Sequence, residues 1–98
     1  MTNWRLHPKA RIDLNLVWDY SEKEWGIDQA ETYTRSIQSA IEAIATDPAR
    51  GQKCDHIRAG YWRIRSGSHL IFFQRESAGV VVVRILHERM DVSTRLNP

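Results

Sequence analysis

The stretch IRAGYWRIRSGSHLIFFQRESAGVVVVRILH, residues 57–87, decides the fold. Its apolar residues alternate or run in short β-prone blocks, and two small-residue turns, Ser66-Gly67-Ser68 and Ala78-Gly79, cut it into three segments. The spacing predicts strands over Ile57–Arg65, His69–Glu76 and Val80–His87, joined as an antiparallel meander. In the first strand a period of two sets Tyr61, Arg63 and Arg65 on one face and Trp62 and Ile64 on the other. The last strand is aliphatic at consecutive positions, as a central strand covered on both sides would be.

Upstream the period lengthens. Ala10, Leu14 and Val17 follow helical spacing from Pro8 to Trp25, with Trp18 and Trp25 on the adjoining edge. His7 stands at the N-cap and Pro8 in the first turn, where its missing N–H costs nothing. Gly26 stops this helix, and a second runs from Ile27 to Thr46 with Ala30, Tyr33, Ile37, Ile41 and Ile44 on one face. Asp47-Pro48 ends it, because a residue before proline is pushed out of helical geometry. Thr2 to Leu6 reads as an edge strand, Arg50 to His56 as a polar loop, and Arg89 to Pro98 as a tail with at most one helical turn. The expected architecture is one α+β domain over residues 1–98, with an N-terminal strand and an antiparallel helix hairpin packed on an antiparallel sheet.

At 98 residues the chain has room for one core. A single cysteine excludes an internal disulfide, no apolar run can span a bilayer, and the first residues lack a signal-peptide core. A cytoplasmic protein is the expectation. The net charge of +2 hides an asymmetry: residues 1–49 hold five Lys/Arg and eight Asp/Glu, residues 50–98 nine and four. Eleven of the fourteen basic residues are arginine, which suits an anionic partner.

The histidines lack metal-ligand spacing, and no phosphate loop or nucleophile elbow is present, so no metal, cofactor or small-molecule substrate is indicated. Cys54 has no signature of a nucleophile. The basic residues of the second half fall on adjacent strands or their ends, and Arg63, Arg65 and Arg84 are placed to converge on the concave side of the sheet, with His87 nearby. Such a cluster suits a phosphate backbone, a scissile phosphodiester or an acidic protein segment; solvation or pairing with Glu76, Glu88 and Asp91 would explain it equally. On the first helix, Ile12, Leu16 and Tyr20 recur every four residues, roughly opposite the core stripe. An apolar stripe on that face points to a protein partner.

The order and spacing of several short motifs resemble the ParE toxins of the RelE/ParE toxin–antitoxin superfamily. They are Pro8-Lys9-Ala10, Asp13-Leu14, Trp25-Gly26, Gln29-Ala30-Glu31-x-Tyr33, Pro48-x-x-Gly51, Ile57-Arg58-x-Gly60-Tyr61, Gly67-Ser68-His69-x-Ile71-Phe72 and Val83-Arg84-Ile85-Leu86-His87-x-Arg89-Met90-Asp91. The resemblance implies a helix hairpin on an antiparallel sheet. It also implies a cytoplasmic toxin that poisons DNA gyrase without chemistry of its own and is neutralised by a ParD-like antitoxin, through which the complex would bind operator DNA. Ribosome-dependent mRNA endonucleases of RelE type share the fold and form the alternative. Here His87 is followed by Glu88-Arg89-Met90-Asp91, with no aromatic residue to stack on a base, and that ending is ParE-like. The resemblance carries over Arg84, His87, Arg89, Met90 and Asp91 as target contacts beside Arg63 and Arg65. Ile12, Leu16 and Tyr20 are the expected antitoxin contacts.

Overall fold

A computed structural model describes residues 3–96. Helix α1 spans Pro8–Trp25 and α2 spans Ile27–Thr46, the limits that apolar spacing predicts. His7 Nδ1 accepts the Lys9 N–H at 3.1 Å, as an N-cap should. Gly26, at φ 92°, serves both helices. Its N–H bonds the Glu22 carbonyl to end α1, and its carbonyl accepts the Ala30 N–H to begin α2. Only glycine adopts this backbone without strain, so the chain reverses within one residue and the helices pack on each other.

The strands are β1 (Trp4–Leu6), β2 (Gln52–Lys53), β3 (Trp62–Ser66), β4 (His69–Glu76) and β5 (Gly79–His87), in the order β1-β5-β4-β3-β2. β3, β4 and β5 form the predicted antiparallel meander. β1 lies parallel to β5, so the sheet is mixed; the helix hairpin supplies the crossover that a parallel pair requires. Thr2, assigned to this strand from sequence, lies outside the described residues. Within the loop expected over Arg50–His56, Gln52 and Lys53 pair with Arg63 and Trp62 as a two-residue edge strand. Two residues are too few to show a period. β3 in turn starts at Trp62, because the residues before it turn back on themselves: the Ile57 and Arg58 N–H groups both bond the Cys54 carbonyl.

The helix-facing side of the sheet carries Ile71, Phe73, Val80, Val82 and Ile85, packed against Ala10, Val17, Ile37, Ile41 and Ile44. The opposite side was expected to be basic and is instead a second apolar cluster. Leu70, Phe72, Val81, Val83 and Leu86 are covered by Cys54, Ile57 and Tyr61 from the 54–61 loop and by Leu96 after the short helix α3 (Val92–Arg95). Through Leu96 the tail is thus part of the fold, held also by an Arg58 Nη1 bond to the Leu96 carbonyl at 3.3 Å, while Asn97 and Pro98 lie outside the described residues. Burial pushes the Cys54 thiol up from its ordinary value, away from the thiolate a nucleophile needs. Trp25, placed at the core edge by helical spacing, is 59% exposed and meets Tyr20 edge-on, with ring centroids 5.9 Å apart.

Candidate partner-binding groove

The geometry starts with an extra residue in β5. Phe72 pairs with Arg84 and Phe73 with Val82, leaving Val83 unpaired as a bulge. A bulge re-aims the side chain beside it. Arg84 sends its guanidinium to Asp13 of α1, with Nε to Oδ2 at 2.7 Å and Nη2 to Oδ1 at 3.0 Å. Nη1 donates to the Arg95 carbonyl of α3 at 2.9 Å. Asp13 Oδ2 also accepts the Ile85 N–H at 3.0 Å, closing the β5 edge just beyond the end of β1. Hydrogen bonding to Asp13 holds Arg84 above its ordinary pKa, the main cause of that shift. One buried pair therefore ties together α1, β5 and the tail.

Beside this clamp a groove of about 530 Å³ opens between α1 and the end of β5. Leu16 and Tyr20 form one wall, His69 and His87 the floor with Ile85, and Arg89 and Met90 the other wall. Leu16 is 61% exposed, Tyr20 59% and Met90 42%, and Ile12 continues the stripe one turn earlier at 59%. Sequence assigned Leu16 and Tyr20 to one partner and His87, Arg89 and Met90 to another; the fold brings both sets to one groove. Asp91 stands at the start of α3, its carbonyl accepting the Arg95 N–H.

The predicted convergence of Arg63, Arg65 and Arg84 does not occur, because the bulge directs Arg84 to Asp13. Arg63 and Arg65 pair in register with Phe72 and Leu70, on the sheet side away from the helices. There Arg65 bonds Glu88 at 2.8 Å. Glu76, another of the three acids expected to pair with this cluster, is taken by Arg5. Neither Asp13 nor Tyr33 was expected at the site; Tyr33 was placed only on the core face of α2. Asp13 had a usable signal: an acidic residue between Ala10 and Val17 on a core-facing stripe needs a buried partner.

Tyr33 and His69 shape the groove floor. The Tyr33 hydroxyl accepts the Ser68 N–H at 3.0 Å and lies within hydrogen-bond distance of His69 Nδ1, at 2.6 Å. The His69 and His87 rings meet edge to face with centroids 5.2 Å apart. Burial, then the neighbouring His87, lowers the His69 pKa below its ordinary 6.5. The unfolded chain therefore takes up this proton first, and stability is expected to fall as pH drops below 6.5 and through the lower native value. The slope for one proton reaches about 1.4 kcal/mol per pH unit. Urea midpoints across that range check it, with His69→Gln giving a shallower fall.

The chain matches the family described as ParE toxin of type II toxin–antitoxin system, parDE, over residues 4–92. The chain belongs to the ParE toxin family. Toxin ParE1 of Caulobacter vibrioides is 43% identical over 96 residues, covering 98% of this chain and 99% of that one. Among solved structures, this ParE-family fold is similar to a chain of the chromosomal ParDE system from P. aeruginosa, at a TM-score of 0.75 and 16% identity, covering 89% of this chain and 96% of the other. It is also similar to a chain of the RelBE2 toxin–antitoxin complex from Mycobacterium tuberculosis, at 0.60 and 21%, covering 88% and 90%. The helix hairpin on a sheet, expected from periodicity, is the architecture these toxins share.

Proposed function

We propose that this ParE-family toxin arrests growth by binding DNA gyrase and stabilising its cleaved complex with DNA, and that a ParD-like antitoxin silences it by occupying the α1/β5 groove. The observation that carries this reading is the groove itself, in which an exposed apolar helix stripe and the His87–Met90 segment face one space. Burying Leu16 and Met90 is worth about 1.5–3 kcal/mol each. Lys23 on α1, one turn beyond Tyr20, and Arg89 opposite are exposed. Those features suit an amphipathic segment with apolar anchors and acidic flanks. A partner seated there covers His87, Arg89 and Met90, so neutralisation and target access compete directly.

Incubating the toxin with gyrase and supercoiled plasmid is expected to trap linear DNA on the enzyme; unchanged supercoiling contradicts the reading. A second reading rests on the two imidazoles in the groove, placed as acid–base groups for mRNA cleavage on the ribosome. It predicts cut messages from translating ribosomes, abolished by His87→Ala with the fold intact.

A further inference from the structure

A second cleft, of about 240 Å³, lies at the opposite edge of the sheet, lined by Arg50, Gln52, Arg63 and Arg65 with Ile64 and Leu70 beneath. From its position and chemistry we infer that this cleft holds the phosphodiester backbone of duplex DNA, giving the toxin a DNA contact of its own. The inference goes beyond the gyrase reading, since it concerns DNA bound without any enzyme.

Three guanidiniums and a carboxamide line the cleft, and no carboxylate does. Among the described residues, no ion pair holds Arg50, Lys53 or Arg63; Arg65 has one, with Glu88, and it is solvent-exposed. An exposed pair of this kind is worth at most about 1 kcal/mol and gives way to a phosphate. Arg63 and Arg65 are two residues apart on one strand face, so their side chains leave the backbone about 7 Å apart, a spacing suited to successive phosphates. Gln52 sits in register opposite Arg63 on the edge strand. Arginine grips phosphate oxygens through paired N–H donors.

Two observations favour a duplex backbone over other anions. Trp62 packs on the other side of the sheet, and the Tyr61 ring on this side is already engaged, with Arg58 Cζ 5.6 Å from its centroid. Unpaired bases therefore find no free platform to stack on. The exposed large hydrophobic residues that would anchor an acidic peptide lie elsewhere, on α1, at the hairpin tip and at Met90. Because Arg63 and Arg65 face away from the helices, an occupant of the α1/β5 groove leaves this cleft open.

The test is fluorescence anisotropy of a labelled mixed-sequence duplex titrated with the full-length toxin, without gyrase, at several salt concentrations. Three phosphate contacts predict a slope of log K against log salt of about −3. Arg50→Gln with Arg63→Gln should lower affinity at least about tenfold and flatten the slope by about 2. Arg50→Gln with Arg65→Gln alters only exposed side chains and should lower affinity in the same direction, which covers a folding defect at Arg63. Absence of duplex binding at low salt, binding indifferent to both double variants, or tighter binding of a polyglutamate peptide or a single-stranded RNA overturns the inference. Lost duplex binding with plasmid linearisation retained overturns this contact and leaves the gyrase reading standing. Unchanged duplex binding without linearisation does the reverse.

Discussion

Asp13→Ala is expected to destabilise the fold by about 3–5 kcal/mol, the usual cost of removing one partner of a buried ion pair. Asp13 is 7% exposed, and the Arg84 side chain opposite it only 17%. Three donors converge on this carboxylate: Arg84 Nε, Arg84 Nη2 and the Ile85 N–H. Alanine leaves a half-buried guanidinium with the Arg95 carbonyl as its remaining hydrogen-bond partner, and an orphaned backbone N–H on β5. At about 4–8 °C per kcal/mol for a domain of this size, the melting temperature should fall by more than about 12 °C. Asp13→Asn keeps an acceptor for Ile85 and should cost less. Glu31→Ala removes the exposed pair with Arg35 and should cost at most about 1 kcal/mol. Urea unfolding followed by circular dichroism ranks the three variants. Equal, small losses would mean that the clamp does not hold the tail.

Leu16→Glu is expected to weaken antitoxin binding at least about 30-fold, the scale of a central anchor lost from an interface. The change puts a charge on a side chain that is 61% exposed, at the middle of the α1 wall. In the free toxin that charge stays in water, so the melting temperature should move by only a few degrees. A repulsive contribution adds to the lost burial if the partner is acidic, so Leu16→Lys should be milder than Leu16→Glu. Isothermal titration with the cognate antitoxin measures both variants. Unchanged affinity for Leu16→Glu would place the antitoxin elsewhere.

Much of the fold was legible because period and punctuation agree in this chain. Pro8, Gly26 and Asp47-Pro48 mark helix limits that the structure reproduces to the residue. Gly67 and Gly79 likewise bracket β4. The outer face was misread for a physical reason. Its cover comes from Ile57, Tyr61 and Leu96, which sit in turns and a tail where apolar residues have no period. The doubly aliphatic β5 had implied such a cover, yet nothing local says which segment supplies it. The Asp13–Arg84 pair spans 71 residues and depends on a bulge at Val83, so Arg84 read as a surface cation.

The groove was legible in halves. The four-residue recurrence of Ile12, Leu16 and Tyr20 showed an unpartnered helix face, and the sequence after β5 showed a candidate contact segment. That they line one space follows from α1 crossing β5 beyond the end of β1, a tertiary fact. Met90 illustrates the gap, since it has no pattern of its own and becomes part of a wall only through that crossing.

The proposed function requires one groove to serve both the antitoxin and the target. Competition tests it most directly: toxin is bound to immobilised gyrase and cognate antitoxin is titrated in. Stoichiometric release of toxin is expected, with no antitoxin retained on the gyrase. A stable ternary complex of gyrase, toxin and antitoxin would contradict it.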